Sequence, residues 1–384
     1  MSSCITSLRG SDEPSIRLKT HLDLLRSAPA DADIAELREQ VRNSERVGRL
    51  LSERDADGQI RHSPYKKWNG AHWVLATLAD IGYPSGDEGL TPLRDQVFEA
   101  WLSPEHTREV VCRTAAAASR ATGVVYVEGR ARRHAFQEGN ALFSTLTLGI
   151  ADGRVDQLAR NLMSWQWPDG GWNCDRRPQT TNSSFWESLT PLRGLALYAR
   201  VTGDAEAQAS AERAAEVFLK RRLFRRQRDG EVMNEQFTRL HYPWYWRYDL
   251  LFGLKVMAEA GLTHDERCGD ALDLLESKRM ADGGFPAEEK FYQTTKPERS
   301  GHSVVNWAAV SRRRSNEWVT AEAFGRVEGR GPLVCGSIEP CARLDAADRW
   351  RVPRARPKNR RSAAVVATAD EVGSAEVALL RSGS

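Results

Sequence analysis

The feature that most constrains the fold of this chain is a short turn sequence that recurs between segments of helical length. Its fullest form is Asp169-Gly170-Gly171-Trp172 and its clearest repeat is Asp282-Gly283-Gly284-Phe285, with weaker copies beginning at Asp57, Glu128 and Asp229. The spacing between copies is about 40 to 70 residues, which is typical of helical-hairpin repeats. One hairpin cannot bury its own apolar face, so the repetition predicts several hairpins stacked around a shared core.

Composition and cysteine spacing exclude several classes of function. The formal net charge of +3 over 384 residues is too small to predict nucleic-acid binding. No apolar run approaches the ~20 residues that span a bilayer, and no apolar signal core follows Met1, so a cytoplasmic location is expected. The 6 cysteines include no Cys-x-x-Cys pair and are interpreted as free thiols. We therefore predict neither a metal nor a cofactor.

The apolar periodicity divides the chain into three parts. Residues 1–53 are predicted to form leading amphipathic helices and residues 54–327 about five helical hairpins. Residues 328–384 are rich in Arg, Pro and Gly and are predicted to be a disordered tail, and the abrupt loss of the repeat there also fits a change of coding frame. No strand pairing is expected. The predicted repeat helices are 65–80, 92–102, 135–150, 155–165, 184–200, 205–223, 244–260, 265–279 and 317–327.

One turn carries a resemblance to a known family. Gln166-x-x-x-Gly170-x-Trp172 matches the QW motif, and over residues 54–327 the chain resembles the superfamily of terpenoid cyclases and protein prenyltransferases, in its squalene-cyclase-like branch. Members of that superfamily are α/α toroids, in which an inner ring of helices surrounds a cavity and an outer ring lies behind it. The resemblance therefore implies an all-α fold of this type, with the motif joining neighbouring hairpins.

The catalytic motifs of that superfamily are missing. Class II cyclases use an Asp-x-Asp-Asp motif, whereas the stretches beginning at Asp31 and Asp55 lack its fourth residue. The zinc prenyltransferases use Asp-x-Cys at the start of one inner helix, and the comparable start here, residues 182–186, has neither residue. His241 lies about a turn too far from the next helix to match their histidine. Neither mechanism carries over by resemblance.

The densest candidate for chemistry is the segment 241–249. If it is helical, Tyr242, Trp246 and Asp249 share one face, and Tyr245 lies beside Asp249. Aromatic rings can stabilise a developing cation, and a desolvated Asp249 would have a raised pKa and could act as an acid. The alternative is that these rings pack between helices and Asp249 pairs with Arg247. The predicted substrate-binding residues are Tyr242, Tyr245, Trp246, Trp186, Trp172, Trp73, His72 and Trp307.

Glu187 is predicted to begin the third inner helix and to face the same cavity. Two carboxylates across a cavity permit acid/base chemistry, including glycoside hydrolysis. The simpler interpretation is an anion placed favourably in the first turn of a helix. The predicted catalytic set is Asp249, Glu187 and His241. A metal site of Cys174, Asp175 and His241 is a weaker alternative, since zinc accepts S, N and O ligands.

The leading functional hypothesis is a terpenoid-cyclase- or prenyltransferase-like protein that binds or converts a hydrophobic, isoprenoid-like molecule in an aromatic-lined cavity. A carbohydrate-active enzyme on a similar toroid and a non-catalytic binding or scaffold module are the alternatives. The expected partner is a hydrophobic small molecule and not a nucleic acid. Peripheral membrane contact and the oligomeric state stay open. The basic run at residues 220–226 ends an outer helix, which favours a solvated face over a diphosphate or membrane site.

Overall fold

The prediction of a helical chain is confirmed by the computed structural model, which describes residues 2–28, 30–295 and 299–327. The predicted disordered tail, residues 328–384, lies outside the described residues. The helices are α1 (Ser2–Arg9), α2 (Pro14–Lys19), α3 (Ala32–Arg42), α4 (Glu45–Leu50), α5 (Ala71–Asp80), α6 (Thr91–Trp101), α7 (Pro104–Thr107), α8 (Ala115–Arg120), α9 (Phe136–Thr147), α10 (Arg154–Trp165), α11 (Phe185–Thr202), α12 (Ala205–Leu219), α13 (Leu250–Glu259), α14 (Gly269–Glu276) and α15 (Glu317–Val327). A π-helical turn, Thr20–Leu24, continues α2.

Four of the helices are buried on nearly every side. These are α5, α9, α11 and α13, in which most residues, apolar and polar, are buried. Such helices are stable only when neighbours cover them completely. Their partners α6, α10, α12 and α14 pack behind them in chain order, one against each. Each of these four buried helices is thus followed in the chain by one peripheral helix that packs against it.

The buried helices contact one another in the order α5, α9, α11, α13, α15 and α2. The tightest approach joins α9 to α11, where a Cβ added at Gly139 would lie 2.4 Å from Pro191 N. The two ends of the series also meet, because a Cβ added at Gly82, just after α5, would lie 2.9 Å from Leu18 Cδ2 in α2. Among the described helices, none combines the length and apolar character that crossing a bilayer requires.

The expectation that strands do not pair is wrong. β1 (Glu109–Val111) runs parallel to β2 (Val124–Val127), which pairs antiparallel with β3 (Arg130–Arg132), and β4 (Pro286–Ala287) pairs antiparallel with β5 (Ser311–Ser315). The turn at Glu128 and Gly129 joins β2 to β3 and does not join two helices. Both residues have positive φ, 51° and 70°, as tight hairpin turns require.

A cluster of paired ions occupies the space between the buried helices. Glu322 of α15 accepts hydrogen bonds from Lys19 Nζ at 2.6 Å and from Lys255 Nζ at 2.8 Å. Arg193 of α11 bridges Asp80 Oδ1, at 3.3 Å, and Glu259 Oε2, at 2.5 Å. Lys255 also lies 3.4 Å from Asp80. Each of these side chains is at most 15% exposed, so the cluster is a dry contact among α2, α5, α11, α13 and α15.

The pairing in this cluster opposes the cost of burying its charges. Burial alone would raise the pKa of Glu322, but Lys19, Lys255 and Arg326 outweigh it and hold that pKa well below its usual range. Burial would lower the pKa of Lys19, and Glu322 and Asp80 together raise it instead. Removing one partner of such a pair leaves an uncompensated charge in the protein interior. The cluster is therefore stabilising only as a complete set.

We expect Glu322→Gln to lower the free energy of unfolding by about 3–5 kcal/mol, because it leaves Lys19 and Lys255 buried with too few anionic partners. Because the folded-state pKa of Glu322 is depressed, its contribution is complete above the unfolded value of 4.5 and is lost as the pH falls below it. Urea unfolding at pH 7 and at pH 4 measures both effects. Glu45→Gln, at a side chain that is 80% exposed, is the control, and equal losses in the two variants would contradict this account.

Candidate functional site

The segment 241–249 is not helical, which corrects the prediction of a helix over 244–260. The helix α13 begins only at Leu250, and Tyr245 has a φ of 53°, which a right-handed helix cannot accommodate. Tyr242, Trp246 and Asp249 therefore do not share a helix face. The segment is instead an irregular loop that crosses the start of α13.

Asp249 lies at the N-terminus of α13, where its side chain caps the helix. Its Oδ1 accepts a hydrogen bond from Phe252 N at 2.7 Å, and its Oδ2 accepts one from His241 N at 3.0 Å and lies 3.0 Å from His241 Nδ1. The side chain is completely buried. Its partner is thus His241 and not Arg247, whose guanidinium lies over the Phe291 ring at 4.0 Å. The acid role of Asp249 stays a prediction.

The predicted substrate-binding residues fall into two groups. Five of them, His72, Trp73, Trp172, Tyr242 and Trp307, are at most 2% exposed, and all of these except Trp172 contact other rings. Tyr242, for example, stacks on Trp318 with ring centroids 4.9 Å apart and donates to Asp80 of the ion cluster. The other three, Trp186, Tyr245 and Trp246, are partly exposed. Tyr245 stacks face to face on Trp68 at 3.9 Å.

Three partly exposed rings form a surface that we call the aromatic rim, defined as Tyr65, Trp186 and Trp246. The Trp186 and Trp246 rings meet edge to face at 5.7 Å, and buried Phe136 lies 6.1 Å from Trp246 and 6.0 Å from Tyr65. Lys67 Nζ lies over the rim, 5.4 Å from the Trp246 ring. The Arg247 guanidinium lies 4.9 Å from the same ring, so the rim is an apolar patch with two cations beside Trp246.

Beside the rim, three side chains from distant parts of the sequence converge. His134 Nδ1 lies 2.9 Å from Glu187 Oε1, and one ligand atom from each of His134, Cys174 and Glu187 lies within 4.8 Å of the other two. Glu187 Oε2 faces Phe136 N at 3.5 Å. Burial and the Glu187 carboxylate raise the pKa of the Cys174 thiol well above its usual value. We call this group the His-Cys-Glu cluster.

Backbone pairing explains why His134 and Cys174 are neighbours. Arg132 forms a parallel bridge with Asn173, and Arg133 N donates to Asn173 O at 3.1 Å. The residues that follow Arg132 therefore run alongside the residues that follow Asn173. The segment that contains Asn173 and Cys174 is also held against α11, because Trp172 N donates to Ser188 Oγ in the first turn of that helix at 2.9 Å. Glu187 precedes Ser188. The cluster therefore rests on backbone contacts and a helix end.

A second ionisable group supports the cluster from the start of α9. Arg133 donates to Glu138 Oε1 at 2.7 Å, and His106 Nε2 lies 3.1 Å from the same oxygen. Burial, with Arg133 and His134 nearby, lowers the pKa of His106 to about 2, so that its ring is neutral. In the described part of the chain, Glu138 Oε2 has no hydrogen-bond partner. Sequence reasoning missed the contact of His134 with Glu187.

The basic run 220–226 borders a surface cleft of about 350 Å³. Arg222 and Arg225 both pair with Asp270 of α14, at 2.8 and 2.6 Å. This carboxylate neutralises part of the positive charge. The cleft lies against α12 and α14, on peripheral helices, and it shares no lining residue with the rim or the His-Cys-Glu cluster.

Comparison with known proteins gives only distant likeness. No protein-family model and no curated protein matches the chain. Two structures of the type II terpene cyclase MstE from Scytonema are similar in part. One, in complex with its substrate geranylgeranyl dihydroxybenzoate, is 15% identical over 82% of this chain and 85% of that chain, with a TM-score of 0.35. The other, with its product merosterolic acid A, is 16% identical over 75% and 95%, with a TM-score of 0.24. Likeness of this degree does not assign an activity.

The pKa of His72, which is buried among aromatic rings, can be tested by experiment. It is 1% exposed, its Nδ1 accepts from Trp101 Nε1 at 3.3 Å, and burial lowers its pKa to about 3. The folded protein therefore holds His72 neutral, whereas the unfolded chain protonates it below its ordinary pKa of 6.5.

Because only the unfolded chain protonates His72, we expect this histidine to lower the free energy of unfolding by about 1.4 kcal/mol for each pH unit below 6.5. His72→Gln, which keeps an acceptor for Trp101, should remove that share of the pH dependence. Urea unfolding of both proteins from pH 7 to pH 4.5 measures the difference in slope. Identical slopes would contradict a neutral, buried His72.

Proposed function

We propose that this chain is an α/α toroid, related in architecture to terpenoid cyclases and prenyltransferases, and that its aromatic rim binds a hydrophobic, isoprenoid-like molecule. The ring architecture is supported by the contact order of the buried helices, by the meeting of α2 with α5, and by the peripheral helix behind each of α5, α9, α11 and α13. We place the ligand at the rim. The middle of the ring is excluded as its site because the paired ions lie there.

The observation that carries the proposal is the exposure of Tyr65, Trp186 and Trp246 beside buried Phe136. Indole and phenol rings that stay accessible in a chain which buries most of its aromatics are an apolar binding patch. Their π-faces also attract a cation, which suits an unsaturated ligand that develops positive charge. Lys67 lies above these rings and would pair with an anionic end of the ligand, such as a diphosphate or carboxylate.

Conversion of the ligand is the further part of the proposal. Glu187 is the predicted catalytic residue that directly follows a rim residue, Trp186, and it is hydrogen-bonded to His134. A carboxylate and an imidazole in contact can move a proton between them. Asp249 and His241 contact each other at the start of α13, and their predicted roles depend on the ligand reaching that point.

A non-catalytic binding module is the second candidate, and the ion cluster favours it. A cyclase-type reaction in the middle of the ring would need a hollow there, and the positions that would surround it hold Lys19, Asp80, Lys255 and Glu322. The carbohydrate alternative has less support, because the two carboxylates it requires have separate partners. Glu187 is engaged with His134, and Asp249 with His241.

The test is a titration of the full chain with linear isoprenoid alcohols and diphosphates of increasing length, followed by tryptophan fluorescence. Trp186→Ala and Trp246→Ala should each weaken binding about 10- to 100-fold, which is the loss expected when one buried aromatic contact is removed. Tyr126→Ala, at a partly exposed ring on β2, is the matched control and should bind normally.

Mass spectrometry of the same mixtures separates conversion from binding, with Glu187→Gln and Asp249→Asn as the catalytic variants. New product that disappears in either variant supports conversion by that residue. Binding without product favours the non-catalytic module. Failure of the wild type to bind any member of the series, or equal binding by the rim variants, would overturn the rim as an isoprenoid site.

A further inference from the structure

We propose that His134, Cys174 and Glu187 bind a zinc ion. Sequence reasoning predicted no metal, and its weaker alternative combined Cys174 with Asp175 and His241. The structure instead gives Cys174 two other neighbours, His134 and Glu187. His241 is engaged with Asp249 and the Arg239 carbonyl, so it is not needed for this site.

The donor set selects the metal. A thiolate, an imidazole and a carboxylate are the three ligand types that zinc accepts, whereas magnesium and calcium take oxygen ligands almost exclusively. The thiolate and the carboxylate together balance the charge of one divalent ion. Three protein ligands leave the fourth tetrahedral position open, as in sites where zinc also holds water or a substrate group.

The spacing of the ligand atoms fits one shared ion. A tetrahedral zinc with bonds of about 2.0–2.3 Å separates its ligand atoms by roughly 3.5 Å. The ligand atoms here lie within 4.8 Å of one another, and His134 Nδ1 and Glu187 Oε1 are 2.9 Å apart. Small side-chain rotations would therefore bring all three to bonding distance, without movement of the backbone.

A different backbone contact positions each of the three residues that would bind the metal. The bridge between Arg132 and Asn173 sets His134 beside Cys174, and the bond from Trp172 N to Ser188 fixes the loop against α11. Phe136 N faces the Glu187 oxygen that His134 does not contact. Such surrounding contacts orient metal ligands and raise affinity. The His134 side chain is 39% exposed, so an ion can reach it from solvent.

Without metal, the same group has a simple alternative state. The Cys174 thiol hydrogen-bonds to Glu187, and burial and that carboxylate raise its pKa. In the zinc-bound state a metal–thiolate bond would replace this hydrogen bond. The two states differ in the ionisation of Cys174, and a probe that reports a metal–thiolate bond distinguishes them.

The experiment uses the full chain after dialysis against a chelator. Zinc is titrated in competition with a chromophoric chelator, and cobalt is added separately because a cobalt–thiolate bond gives a charge-transfer band in the near ultraviolet. We expect one zinc per chain and that band in the wild type. Cys174→Ser should abolish the band, and Cys174→Ser, His134→Ala and Glu187→Gln should each weaken zinc binding at least about 100-fold.

Cys112→Ser, at a buried thiol outside the cluster, is the matched control and should keep both the band and the affinity. Trp246→Ala should bind zinc normally even where it loses the isoprenoid, so the metal site and the proposed function succeed or fail separately. A thermal unfolding midpoint near that of the wild type shows that each variant is folded. Equal zinc affinity in the wild type and Cys174→Ser, or no cobalt–thiolate band in the wild type, would overturn the proposal.

Discussion

The buried ion cluster is the contact on which the arrangement of the inner helices depends. Lys19, Asp80, Arg193, Lys255 and Glu322 come from five different helices, and each would be costly to bury alone. Apolar packing would tolerate many relative rotations of these helices. Paired charges do not, because every side chain needs its partner at hydrogen-bond distance. We infer that the cluster restricts the relative positions of α2, α5, α11, α13 and α15.

The two ends of the buried helices have different chemistry. Asp80 and Glu259 are the last residues of α5 and α13, so the ion cluster lies toward the C-terminal ends of these helices. Phe136 and Glu187 lie in the first turns of α9 and α11, at the opposite end. Helix N-termini favour anionic groups, which suits Glu138 and Glu187. The ion pairs therefore lie toward one end of these helices, and the proposed binding and catalytic residues lie toward the other.

Much of the helical fold could be predicted from periodicity and turns. The helix α15 was predicted with its observed ends, and α9, α10 and α11 with errors of a few residues at most. The helix predicted over 244–249 is wrong because the aromatic residues there fit a helical pattern, whereas the positive φ of Tyr245 excludes a right-handed helix. The strands β2 and β3 were missed because their turn was interpreted as one more repeat.

The candidate site was predicted in part. Glu187 and Trp186 follow from their place at the start of an inner helix, but the contact of His134 with Cys174 joins residues far apart in sequence. That contact depends on the bridge between Arg132 and Asn173, which no local pattern shows. The ion cluster did leave a signal. Arg193, Lys255 and Glu322 each stand between two uncharged neighbours within a helix that is largely buried, and such residues need buried partners.

The central claim is that the ligand is bound at the N-terminal end of the buried helices while the ion cluster keeps them fixed. Hydrogen–deuterium exchange with and without a bound linear isoprenoid tests it most directly. The account predicts that the ligand slows exchange in residues 133–137, 172–188 and 244–249, and that α13 and α15 exchange slowly in both states. Protection that appears instead around Asp80, Lys255 and Glu322 would place the ligand among the buried ion pairs and contradict binding at the rim.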